Sequence, residues 1–130
     1  MRISAYIRIL SDEATIRRIK DEAKVSDATI VQLKAKKGAG DTTWWNWQTP
    51  RVIIDVDNVD AGVNALLSSH RSMFRVAQKY KGAETEIYLE MVTHYGKGEE
   101  PRGFYLSPAT IELLSELGAA LDNDVDTSPG

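Results

Sequence analysis

The first ten residues, MRISAYIRIL, alternate between apolar and polar positions: Ile3, Ala5, Ile7 and Ile9 share one side, and Tyr6 and Arg8 the other. A period of two is the mark of a strand with one covered face. The period then changes. Ser11 offers a hydroxyl N-cap, and Asp12 and Glu13 place acids where a helix dipole welcomes them. Ile16, Ile19 and Ala23 follow at helical spacing, which predicts a short helix over residues 12–23. ATIVQLKAK (28–36) returns to alternation and predicts a second strand, and KKGAGDT (37–43) has the composition of a loop.

The stretch TTWWNWQT (42–49) holds all three tryptophans of the chain and is followed by Pro50 and RVIIDVD. Proline cannot donate to a sheet ladder, so this region predicts a strand broken or bulged at Pro50, or two short strands. Residues two apart share a face. Trp45 and Trp47 therefore belong together in a core layer, and Trp44 points the other way with Asn46 and Gln48. Asp57 or Asn58 can cap a long helix to about Tyr80, ended by Gly82. Its stripe is Val59, Val63, Leu66, Leu67, Phe74 and Ala77, with His70 inside it as a partly buried core histidine. ETEIYLEMVTHY (84–95) is the longest alternation: Ile87, Leu89 and Met91 face one way, Tyr88, Glu90 and His94 the other. After the turn YGKGEEPRG, GFYL (103–106) reads as a short strand. Ser107-Pro108 then opens a helix with the stripe Ile111, Leu114 and Leu117. Gly118 suits a left-handed C′ position, and ALDNDVD alternates as a closing strand.

The resulting order is β-α-β-β-α-β-β-α-β over a single domain, residues 1–126, with a flexible tail at 127–130. Helices with one apolar stripe must lie on a sheet, and strands with one apolar face offer it one covered side. The fold class is therefore α+β: a two-layer sandwich, ferredoxin-like in order, its mostly antiparallel sheet covered by helices on one face. The uncovered face collects Trp44, Tyr6, Arg8, Tyr88, Glu90, His94 and Tyr105, with Asp122 and Asp124 beside them. Aromatics interleaved with charge make this face the candidate binding surface.

Composition narrows the partners. A formal charge of −3 argues against nucleic acid, whose phosphates call for a basic surplus. There is no cysteine, which excludes thiolate chemistry and disulfides. The polar–apolar alternation of the first strand is unlike a signal peptide, and no run has the length of a membrane span, so a cytoplasmic protein with no membrane partner is expected. Two histidines cannot build a multi-histidine metal site. DVDNVD (55–60) fails the EF-hand pattern, with Asp60 where glycine and Leu66 where glutamate should stand. Asp122, Asp124 and Asp126 are spaced about 7 Å apart by strand rise, too wide for one ion, so neither metal nor cofactor is expected. Neither G-x-S-x-G nor a phosphate-loop ending is present, and no catalytic set stands out.

The run GFYLSPATIELLSELGAALDNDVD (103–126) combines a strand ending in L-S-P, an amphipathic helix, an L-G-A-x-L step and an acidic closing strand. Together with the isoleucine-rich first strand, its S-D-E helix start, the central tryptophans and E-I-Y-L-E-M-V, it resembles the bacterial DUF4279 family over nearly the whole chain. The resemblance implies an α+β domain of bacterial origin and supplies no catalytic or binding residue, since the family's function is unknown. The expectation is a small non-enzymatic binding domain that uses its uncovered sheet face toward a protein partner or a second copy. An immunity-like role suits an acidic, cysteine-free domain of this size. The alternative is a small enzyme or ligand-binding domain with a pocket between Trp44, His94 and the acidic last strand.

Overall fold

The structure is a computed structural model that describes residues 1–24, 44–80, 85–100 and 103–126 in full and 29–33 as backbone. Its elements are β1 (Arg2–Ser11), α1 (Glu13–Ala23), β2 (Thr29–Leu33), β3 (Trp44–Gln48), β4 (Val52–Ile54), α2 (Val59–Ser69), α3 (Arg71–Lys79), β5 (Glu86–His94), α4 (Pro108–Glu116) and β6 (Ala120–Asp126). The expected loop at 37–43, the helix end at Gly82 and the tail at 127–130 lie outside the described residues.

One mixed sheet runs in the order β2-β3-β1-β5-β6, with β4 beside β1 on the β3 side. The registers make β1 the central strand: Ile9 faces Trp47 across one edge of β1 and Ile87 across the other. β3 and β4 together line that first edge, and the chain leaves the ladder between them at Thr49-Pro50-Arg51. Thr49 keeps the break attached, its amide donating to Ile7 O and its hydroxyl accepting from Ile7 N, both at 3.0 Å. Proline thus sits where a ladder N–H is not required.

Every helical connection joins parallel strands. β1 and β2 run parallel with β3 between them, β4 and β5 with β1 between them, and β5 and β6 as direct neighbours. Crossovers between parallel strands are right-handed. β1 steps one way across the sheet, while β4 and β5, pointing oppositely, step the other way. One handedness therefore stacks all four helices on the same face. The core accordingly gathers Ile3, Ile7 and Ile9 of β1, Ile16 and Ile19 of α1, Leu67 of α2, Phe74 of α3, Leu89 of β5 and Leu114 of α4 in one cluster.

Four sequence expectations need correction. The ferredoxin-like order is replaced by the order above, ending in a parallel β5–β6 pair. GFYL forms no strand: Asp60 Oδ1 accepts from the Ser107 amide at 2.7 Å, tying this segment to the start of α2, and Phe104 and Leu106 pack against the core from there. The long helix is two helices. Ser69 Oγ donates to Leu66 O at 2.8 Å and His70 Nδ1 lies 3.1 Å from the same carbonyl, so side chains compete for the ladder and end α2 at Ser69. His70 is the junction between the two helices, not a core histidine. Lastly, the α1 cap is Asp12, whose Oδ1 accepts from Thr15 N at 2.8 Å; Ser11 completes β1 and bonds Thr85 across the core side.

Ser107 caps α4 as expected, with Pro108 at the first helical position. It accepts from Thr110 N while its own amide donates to Asp60, and that amide is first among the causes that keep the Asp60 carboxyl below the usual aspartate range. Ser107→Ala is expected to lower the urea midpoint by the equivalent of about 1 kcal/mol, the usual loss for an N-cap hydroxyl.

Candidate functional site

Even-numbered residues of β1 point away from the helices, and the registers carry that face across the sheet. Tyr6 lies opposite Glu90, Arg8 opposite Tyr88 and Gln48, and Leu10 opposite Asn46. The parallel pairing sets Glu90 beside Asp122 and His94 beside Asp126. Trp44, Tyr6, Arg8, Tyr88, Glu90 and His94 thus all belong to this face. Tyr105 does not. It stands 69% exposed beside a cavity of about 260 Å³ at the start of α2, because its segment is tied to Asp60.

The face is less open than the pattern suggested. Tyr6, Leu10, Asn46 and Glu90 are buried, Arg8, Trp44, Gln48 and Tyr88 are half-buried, and Arg51, Ile53, Asp122 and Asp124 are exposed. Long side chains lie flat over their neighbours. The Arg51 guanidinium sits 5.0 Å from the Tyr6 ring centre, and that of Arg8 sits 5.5 Å from Tyr88. Two guanidinium–phenol stacks therefore cross the middle of the sheet, each an attraction of a cation to a π-face.

Arg8 has a second task. Its Nη2 lies 3.0 Å from Glu90 Oε1, and Glu90 is 2% exposed. Burial pushes the Glu90 carboxyl up to about 7; Arg8 opposes the shift, while a hydrogen bond with Asp122 and the charges of Asp122 and Asp124 add to it. Tyr88 is held protonated beyond the ordinary tyrosine range, chiefly because its hydroxyl donates to Glu86 at 2.7 Å. Arg8 Nε and Asn46 Oδ1 are buried without a hydrogen-bond partner, so this face carries polar capacity the described residues leave unmatched.

Glu90, Asp122 and Asp124 each bring one oxygen within 4.8 Å of the others, and among the described residues they are the group that could hold a divalent ion. This corrects the reading that the aspartates are too far apart: backbone spacing along β6 is indeed wide, but Glu90 reaches between them from β5. The missed partner was visible only through the parallel register, which no local pattern in ALDNDVD specifies.

The alternative pocket between Trp44 and His94 does not form. Trp45 pairs with Ser11 and His94 with Arg2, so nine steps of β1, roughly 30 Å, separate the two ends. His94 instead meets Asp126, its Nδ1 3.1 Å from Oδ2. The second described cavity, about 400 Å³ between β4 and α2, is lined by neither Glu90 nor Arg8. Among the described residues no helix is long and apolar enough to cross a membrane.

No curated protein and no solved structure matches the chain. A family described as a domain of unknown function, DUF4279, matches residues 1–128 of the 130, an extent that takes in every strand and helix above. The chain belongs to the DUF4279 family.

Proposed function

We propose that this chain is a non-enzymatic interaction domain that binds a protein partner through the sheet face turned away from the helices. The arrangement of Arg8 carries the reading: a half-buried guanidinium fixed between the Tyr88 ring and the Glu90 carboxylate, on a buried floor of Tyr6 and Glu90. Tyrosine and arginine dominate the energetics of protein interfaces, above all where their surroundings are already dry and their rotamers already held. The exposed Asp122 and Asp124 supply a polar rim and favour a partner whose contact surface is basic. No nucleic acid, membrane or cofactor enters this reading, and a cytoplasmic setting and an immunity-like role agree with it.

A tagged chain used as bait in its native host tests the proposal, followed by titration calorimetry with the protein it retains. Arg8→Ala is expected to weaken that binding at least about tenfold, as truncating an interface anchor does. Ile111→Ala, on the exposed side of α4, is expected to change nothing. A partner lost with Ile111 and kept without Arg8 would place binding on the helix layer and end the proposal.

The Glu90 carboxyl, raised to about 7 by burial and set beside Asp122, favours a second reading, an acid–base site, because a carboxyl ionising near 7 can both give and take a proton. Against it stands the absence of Glu90 from the lining of both described cavities.

A further inference from the structure

Two edges of the sheet, β6 at one end and β4 beside β1, are defended differently. β6 carries Asp122, Asp124 and Asp126, all exposed, so a second copy of that strand would meet its own negative charge. Strand edges are commonly guarded this way. β4 has no such guard. Its only strand partner among the described residues is β1, and its Ile53 is 69% exposed.

The direction of its backbone groups follows from the ladder. Thr49 N donates to Ile7 O, so odd-numbered residues of β1 turn their amides toward the β3–β4 side. Ile3 faces Ile54 and Ala5 faces Val52, which makes these the pairs that exchange hydrogen bonds. Alternation then turns the N–H and C=O of Ile53 outward, a donor and an acceptor on one residue with no strand partner among the described residues.

The sequence around that residue, Arg51-Val52-Ile53-Ile54-Asp55, is complementary to itself when reversed. We propose that two copies of this chain pair edge to edge through β4, antiparallel about Ile53. Ile53 then exchanges both backbone bonds with Ile53 of the partner subunit, and Val52 lies opposite the partner subunit's Ile54. Arg51 meets the partner subunit's Asp55, and by symmetry the reverse, as two cross-strand ion pairs on one face. Both residues are exposed, and neither has an ion-pair partner among the described residues. On the helix side the 400 Å³ cavity opens between β4 and α2, where Gly62, Ala65 and Ser69 present a low surface. Gly62 is already tight, since a Cβ there would come 2.9 Å from Ile54 Cγ2, so the strand can approach α2 only over such small residues. The half-exposed Val52 of each copy has this cavity to enter, which adds packing to what two short strands alone could hold.

This pairing does not use Arg8, on which the sheet-face reading rests, although Arg51 also stacks on Tyr6 of that face. The test is light scattering coupled to size exclusion on the full chain, over low to high micromolar concentration. Wild type is expected at twice the monomer mass at the upper end. Arg51→Asp and Asp55→Arg, each setting like charge against like, are expected to weaken the dimer at least about tenfold. The double swap, which restores opposite charges, is expected to recover it. Ile53→Lys, at an exposed position the fold does not use, serves if a swap unfolds the chain, and near-ultraviolet circular dichroism of the tryptophans reports folding. Arg8→Ala should leave the dimer intact. A wild type that stays monomeric throughout overturns the proposal, as does a dimer unaffected by Ile53→Lys, one dissolved by Arg8→Ala, or a folded double swap that stays monomeric.

Discussion

Trp47→Ala is expected to cost about 3–5 kcal/mol of folding stability, the range for emptying a buried aromatic site. Trp47 is 1% exposed, on the helix-covered face opposite Ile9 of β1, and belongs to the core cluster that also holds Ile7, Ile16 and Ile19, so its ring would vacate a closed space. Its Nε1 is buried without a hydrogen-bond partner, and losing that orphaned donor returns a little of the cost. Trp44→Ala, on the other face and half-buried, should cost about 1 kcal/mol or less. Trp45 belongs between them. It packs against the core but stays partly exposed, with the Arg17 guanidinium 5.6 Å from its ring centre. Since a domain of this size holds roughly 5–15 kcal/mol in all, the Trp47 variant should show a urea midpoint near half that of wild type. Equal midpoints for the Trp44 and Trp47 variants would mean that the two faces of β3 are assigned the wrong way round.

Stability should fall as pH rises from about 4.5 to about 7, and Glu90→Gln should abolish that fall. Folding lifts the Glu90 carboxyl from its ordinary 4.5 to about 7, with burial as the first cause. Between those two values the folded chain keeps a proton that the unfolded chain releases. Stability therefore decreases with pH through this window, and the whole penalty is present above it. Every tenfold gain in proton affinity on folding is worth about 1.4 kcal/mol, so the decrease amounts to about 3 kcal/mol. Asp12, Glu22 and Asp60 are held low by hydrogen bonds from Thr15, Tyr80 and Ser107 respectively, so they act with the opposite sign and below this window. Urea unfolding at pH 5 and pH 8 separates the cases: wild type should lose midpoint between them and the glutamine variant should not. A wild-type midpoint that rises over this interval would show that Arg8 outweighs the burial of Glu90.

Alternation made the sheet readable in the sequence. Ile3 to Ile9 and Ile87 to Met91 each keep strict period two, and both proved to be central strands with one face in the core. Pro50 announced its break because a missing N–H is a local fact. Gly118, with φ +69, and the Ser107-Pro108 start of α4 were equally local. What escaped depended on distant partners. GFYL has the right alternation for a strand, yet Asp60, more than forty residues away, holds the end of that segment. His70 interrupts a perfectly spaced apolar stripe through bonds to one carbonyl, and spacing does not record such competition. On the candidate face, residue membership was legible from parity alone, except for Tyr105. The depth of Glu90 and its meeting with Asp122 and Asp124 were not, because they depend on the parallel pairing of β5 with β6, which joins residues more than thirty positions apart.

The central place of β1 also governs what happens while the protein is being made. The ribosome delivers this strand before its second neighbour, β5, which follows some eighty residues later. Until His94 has cleared the exit tunnel, a nascent chain can zip β2, β3 and β4 onto one flank of β1 and must leave the other flank bare, nine residues of open isoleucine-rich ladder. Such an edge recruits strands from neighbouring chains. Translation pausing or truncation before β5 should therefore yield aggregates rather than a half-domain, and a chaperone that shields residues 2–10 would act at the one step this topology cannot shorten.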